Sequence, residues 1–261
     1  MKTRILTGVV GIPIVLLCIF GPTPLIYLLG FVMMAALNYE LAHMQGEEMQ
    51  RMFMLFCFVN MLAAFACYTF VTQELGLIFA LANVLVMAET VFTYPKVGLS
   101  EMLYLAFINI YCTWLPLHMI ALRLLDNGAW MLMSVFIMVW ICDSGAYFSG
   151  RAFGRHKMAP HLSPKKTIEG AVGGVLLTIV SAVVIEQFLP LATSMLHTCL
   201  IGLLVAFGAI VGDLFESYLK RSFGVKDSGK ILPGHGGFAD RFDSFLLVAP
   251  LCFYYFSIMQ G

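Results

Sequence analysis

Apolar residues along this chain form long unbroken runs rather than an alternating pattern, and polar residues gather in the gaps between them. A hydrocarbon layer of about 30 Å is crossed by roughly 20 apolar residues in a helix. Nine runs meet or approach that length: Ile5–Phe20, Thr23–Met44, Met52–Val71, Leu75–Phe92, Glu101–Leu122, Ala129–Ser149, Thr167–Phe188, Leu196–Leu219 and Ser244–Met259, the first and last being the shortest. Continuous apolarity excludes the two-residue repeat of a β-barrel, and helices satisfy their own backbone hydrogen bonds inside lipid. The pattern predicts an all-α, polytopic helical membrane protein with about nine transmembrane helices in one domain.

Composition agrees. The chain is 61% hydrophobic and 11% charged, whereas soluble domains are about 45–50% apolar and about 25% charged. Seven scattered cysteines lie mostly inside apolar runs with no CxxC pair, so they read as small hydrophobes rather than a disulfide or zinc framework. Lys2 and Arg4 before Ile5–Phe20 mimic a signal peptide, but no small-residue cleavage motif follows. The run is expected to be a retained first span.

Net charge is zero, yet the basic residues are unevenly placed. With nine spans and the N-terminus in the cytoplasm, fourteen of fifteen Lys and Arg residues fall on the cytoplasmic side, and only Arg123 falls opposite. Such asymmetry is how helical membrane proteins are oriented. Ten of the fifteen lie in two polar inner segments, Gly150–Lys166 and Lys220–Asp243. Function is therefore expected at the cytoplasmic face, on an anionic ligand.

The chemistry-bearing residues cluster there. Asp213, Glu216, Ser217 and Lys220 share one helix face by their spacing of three and four. Glu216 can pair with Lys220 across one turn, whereas Asp213, a turn deeper, is an intramembrane carboxylate of the kind that marks a functional site. Gly234, Gly236 and Gly237 flank His235 and leave backbone N–H groups open to a ligand, and the cations nearby make phosphate the expected one. Asp240 and Asp243, three apart as the last helix begins, offer hard oxygen donors suited to Mg²⁺. Upstream, Asp143-Ser-Gly-Ala-Tyr leads through Arg151, Arg155 and Lys157 to Ser163-Pro-Lys165-Lys166-Thr167. Ser163 or Thr167 would cap the following helix, whose N-terminal dipole favours an anion beside Lys165 and Lys166.

The run Ser217-x-Leu-Lys220-Arg221-x₄-Lys226-Asp227-x-Gly229-x₂-Leu-Pro-x-His235-Gly236-Gly237-Phe-x-Asp240-Arg241-Phe-Asp243 resembles the signature of phosphatidate cytidylyltransferases, the CDP-diacylglycerol synthases, with every fixed position filled. The stretch from Asp143 to Gly170 is similar to the same family's upstream motif; residues before about 130 are similar only in hydropathy. The resemblance implies transfer of a cytidylyl group from CTP to phosphatidic acid, giving CDP-diacylglycerol and pyrophosphate. It implies Mg²⁺, alone or with a second cation, and a homodimer in a bacterial inner membrane. Residues 1–128 would then be a helical scaffold and residues 129–261 the catalytic region. Asp213, Asp240 and Asp243 would hold the metal, while Lys220, Arg221, Lys226 and Arg241 would neutralise phosphate charge. Asp143, Ser163, Thr167, Ser217, His235, Gly236 and Gly237 would bind substrate. Lys165 and Lys166 would take either the lipid phosphate or the triphosphate.

Other polar residues receive no such role. His43, His118 and His197 are expected to be structural, Glu40 and Glu89 are unassigned, and Asp227 either supports the metal or pairs with Lys226. A transporter would need matching broken helices in two halves, which the sequence lacks. The D-G-x₂-A-R motif of CDP-alcohol phosphotransferases is also missing. Nucleic acid is not an expected partner.

Overall fold

The computed structural model describes residues 2–44, 47–189, 194–229, 231 and 236–260. Among the described residues the apolar runs form nine helices: α1 (Lys2–Phe20), α2 (Thr23–His43), α3 (Glu47–Ala66, prolonged by a π-helical turn, Cys67–Val71), α4 (Leu75–Thr93) and α5 (Leu99–Leu124), then α6 (Gly128–Phe153), α7 (Ile168–Phe188), α8 (Met195–Ser222) and α9 (Ala239–Gln260). Among the described residues, α2 to α9 contain eight stretches long and apolar enough to cross a membrane; the apolar described part of α1 is the shorter Gly11–Phe20. The protein is a multi-pass helical membrane protein.

One feature departs from an all-helical reading. The polar segment after α6 folds into a hairpin of β1 (Lys157–Ala159) and β2 (Ser163–Thr167), paired antiparallel with Lys157 opposite Thr167 and Ala159 opposite Ser163. Strands this short carry too few residues for periodicity to register. Helix ends also differ from the apolar boundaries: α6 continues past Ser149 to Phe153, α8 past Leu219 to Ser222, and α9 begins at Ala239 rather than Ser244. A helix gains one backbone bond per added residue, so it runs on into polar sequence until a cap or glycine stops it.

The chain packs as two units. The first comprises Met1–Ala121 with Asp227–Ala239. Its helices are tied by buried polar groups: Asn38 on α2 donates from Nδ2 to the Met34 carbonyl at 2.8 Å and to Thr113 Oγ1 at 3.1 Å. The latter lies in a π-helical stretch of α5, Asn109–Trp114. Tyr104 donates to the Leu41 carbonyl at 2.7 Å, and Trp114 Nε1 to the Leu75 carbonyl at 3.1 Å. Inside lipid such bonds substitute for the hydrophobic effect as helix-to-helix glue.

The second unit comprises Leu122–Lys226 with Asp240–Gly261. Glycines set its helix spacing. A Cβ on Gly170 would come within 2.7 Å of the Ala146 carbonyl oxygen, and one on Gly174 within 3.0 Å of the Cys142 carbonyl oxygen, so α6 and α7 cross nearly backbone to backbone. Small residues at such crossings are the usual device for close packing in membranes. Thr167 caps α7, its Oγ1 accepting from the Gly170 N–H at 3.2 Å. Glu169 in the first turn accepts from the backbone N–H of Arg155 at 3.0 Å and of His156 at 3.2 Å, binding the hairpin's entry to α7.

Candidate active site

The second unit gathers most of the chemistry. Gly212 on α8 lies against the start of α9: a Cβ there would meet the Asp243 carbonyl oxygen at 2.6 Å and Ser244 Cα at 3.0 Å. This contact brings Asp213, the next residue on α8, within electrostatic reach of Asp243 on α9, and Asp143 on α6 is close enough to interact with both. Three carboxylates repel unless cations intervene. One cation is present in the chain itself, because Lys166 of β2 forms an ion pair with Asp213.

Asp240 faces elsewhere. Lys220 Nζ lies 2.7 Å from Asp240 Oδ1 and also pairs with Glu216 one turn back on α8. The side chains of Lys220, Glu216 and Asp240 are only 14%, 4% and 9% exposed, so one ammonium is shared by two carboxylates in a nearly dry setting. Removing water strengthens this attraction and makes an unpaired member costly. Lys220 here locks α8 to α9. Of the expected metal trio, Asp240 pairs directly with Lys220, while Asp243 lies within electrostatic reach of Asp213, Asp143 and Lys220. Among the described residues no three His, Cys, Asp or Glu side chains converge closely enough to ligate one ion. Mg²⁺ needs only one or two carboxylates when substrate phosphates complete its shell, and Asp213, Asp243 and Asp143 fit that requirement.

A cavity of about 480 Å³ opens beside this cluster. Asp143, Asp213, Lys165, Lys166, Thr167 and Arg151 supply its polar lining, while Ala146, Tyr147, Met158, Ala171 and Ile210 supply the apolar lining. Exposed Tyr147, Phe148 and Ile168 continue the apolar surface nearby. Ser163 sits in β2 opposite Ala159, leaving Thr167 as the cap. Ser217 is half-buried on α8, whereas Arg221, Lys226 and Arg241 are exposed. Arg221 donates to the carbonyls of Val225 at 3.2 Å and Leu162 at 3.5 Å, joining the end of α8 to the hairpin turn.

The glycine-rich segment belongs to the first unit. His235, Gly234 and Lys230 lie outside the described residues. Gly236 has φ of +86°, a backbone region that glycine enters without strain. Gly237 is buried against Ser228 and Glu40, leaving no room for a side chain. Glu40, unassigned in the sequence, accepts from the backbone N–H groups of Phe238 and Ala239. The one signal that pointed to it was a carboxylate inside an apolar helix.

Residues 2–259 match the cytidylyltransferase family model. The chain belongs to that family. Across its full length it is 34% identical to the phosphatidate cytidylyltransferase of Bacillus subtilis, covering 99% of that protein. It is also 34% identical to the phosphatidate cytidylyltransferase of Thermotoga maritima, covering 98% of it. The corresponding enzyme of Staphylococcus epidermidis is 47% identical over 126 residues, 48% of either chain. Membership therefore extends to the N-terminal helices, where no family motif was legible.

Proposed function

We propose that the protein catalyses cytidylyl transfer from CTP to phosphatidate, releasing pyrophosphate and CDP-diacylglycerol, at the cytoplasmic face of the membrane. The observation that carries this reading is the cavity lined both by apolar residues and by Lys165, Lys166 and Arg151 beside Asp143 and Asp213. A phosphate group attached to a lipid tail needs both kinds of lining.

In the reaction a phosphate oxygen of the lipid forms a bond to the α-phosphorus of CTP, and the bond to the bridging oxygen of pyrophosphate breaks. Two anions must meet, so positioning and charge neutralisation dominate over covalent chemistry. Lys165, Arg151 and Lys166 orient the lipid phosphate, with Tyr147 and Ile168 leading towards its acyl chains. Arg221, Lys226 and Arg241, exposed at the polar ends of α8 and α9, offset the triphosphate charge. Asp213 and Asp243, supported by Asp143, would hold Mg²⁺, which supplies positive charge to the nucleotide phosphates when bound. Lys220 keeps α8 and α9 in register through Glu216 and Asp240. The reading includes a homodimer as the working form.

The direct test is purified protein in mixed micelles, given CTP, dCTP, ATP or GTP with a panel of lipid phosphates. The expected outcome is lipid-dependent pyrophosphate release with cytidine nucleotides and phosphatidate. Equal rates with all four nucleotides, or turnover without lipid, would refute it.

A further inference from the structure

Glu40 lies in the last turn of the apolar helix α2, far in the chain from the family signature, and is 1% exposed. Its carboxylate is fully engaged by a distant segment of its own unit. Oε2 accepts from Ser228 Oγ at 3.0 Å and from the Ala239 N–H at 2.9 Å, while Oε1 accepts from the Phe238 N–H at 2.7 Å. Gly229 and Gly237 close around it so tightly that an added Cβ would lie 2.5 Å from Oε1 and 2.8 Å from Oε2 respectively. Gly229 is therefore explained by the buried carboxylate, and Gly237 by Ser228 and the Gly229 backbone as well as by that carboxylate.

The donors matter as much as the acceptor. Ala239 is the first residue of α9, and the opening N–H groups of a helix lack partners within it and carry its partial positive charge. A carboxylate buried in a membrane helix is unfavourable unless hydrogen-bonded, and here the start of α9 satisfies it. The same turn of α9 continues directly into Asp240, Arg241 and Asp243. Fixing the N–H groups of Phe238 and Ala239 fixes where that turn begins and how it is rotated.

We propose that Glu40 is a positioning residue for the reaction: an anionic cap, supplied by α2, that anchors Ser228, Phe238 and Ala239 and sets where α9 begins. This rests on the cytidylyl-transfer reading above.

The test uses the full-length protein in detergent. Glu40→Gln keeps the shape but turns an amide NH₂ towards an N–H donor. Backbone amide exchange, thermal midpoint, and kcat and KM for CTP are measured beside the wild type. The expected result is faster exchange confined to residues 228–243 and a kcat lowered by about 100-fold, the scale of a small misplacement of reacting groups, with KM much less affected. A wild-type kcat in the folded variant, or exchange accelerated equally in all helices, would overturn the proposal. If Glu40→Gln does not fold, Ser228→Ala removes one of the three bonds; it is expected to raise exchange in the same segment and lower kcat measurably, and unchanged values for both would overturn the proposal. Inactive wild-type protein would refute the transfer reading, while the exchange pattern still reports on the anchor.

Discussion

Lys166 in the hairpin and Asp213 on α8 form an ion pair in the lining of the cavity beside α6 and α7. A positive-inside lysine and an intramembrane aspartate, each ordinary alone, thus become one unit beside two further carboxylates. If both charges serve the reaction, neutralising the pair together restores nothing. Lys166→Met, Asp213→Asn and the double variant are each expected to fold and to lose activity by about 100-fold or more, as for other electrostatic contacts in active sites. Recovery of turnover in the double variant would reduce the pair to structural glue.

Lys220 sits between Glu216 and Asp240 with little water access. Lys220→Met leaves two buried carboxylates without a cation, and breaking a buried pair costs about 3–5 kcal/mol. The expected outcome is a large drop in thermal midpoint and in membrane-inserted yield. Adding Glu216→Gln should recover part of both. A midpoint unchanged by Lys220→Met would mean that the cluster does not hold α8 to α9.

Gly212 lies 2.6 Å, measured from a built Cβ, from the Asp243 carbonyl oxygen, whereas a Cβ on Gly76 would meet nothing within 4 Å. Gly212→Ala should cost about 1–3 kcal/mol through overpacking and lower activity by separating Asp213 from Asp243. Gly76→Ala, in the first turn of α4, should be neutral or slightly stabilising. Thermal unfolding and turnover of the two variants side by side provide the comparison.

Chelation by EDTA should abolish turnover and added Mg²⁺ restore it. Asp243→Asn should shift the Mg²⁺ dependence to higher concentration, because one carboxylate of a phosphate-completed shell has lost its charge. Asp240→Asn should instead act mainly on stability, through Lys220. Identical Mg²⁺ curves for wild type and Asp243→Asn would remove Asp243 from the metal site.

Topology tests the last three helices. A reporter fused after residue 261 should lie on the opposite side of the membrane from one inserted in the hairpin turn at residues 160–162. That insertion point spares both strands. Both reporters on one side would overturn the three crossings, α7, α8 and α9, between the hairpin and residue 261.

Hydropathy by itself determined the membrane class and the positions of the nine helices, because a helix in lipid must be apolar over a fixed length whatever it packs against. The residue motif from Ser217 to Asp243, not hydropathy, pointed to the family. Partnerships were decided only by the tertiary structure. The three and four spacing of Asp213, Glu216 and Lys220 placed them on one face, but whether Lys220 served a ligand or Asp240 depended on the packing of α9 against Gly212. Spacing put Asp240 and Asp243 three apart on a helix, yet only Asp240 forms the ion pair with Lys220, while Asp243 also feels Asp213 and Asp143. The hairpin was hidden because three- and five-residue strands have no readable period. Glu40 showed only as an apolar run's exception; its partners lie about two hundred residues along the chain, and long-range hydrogen bonds leave no mark on local sequence.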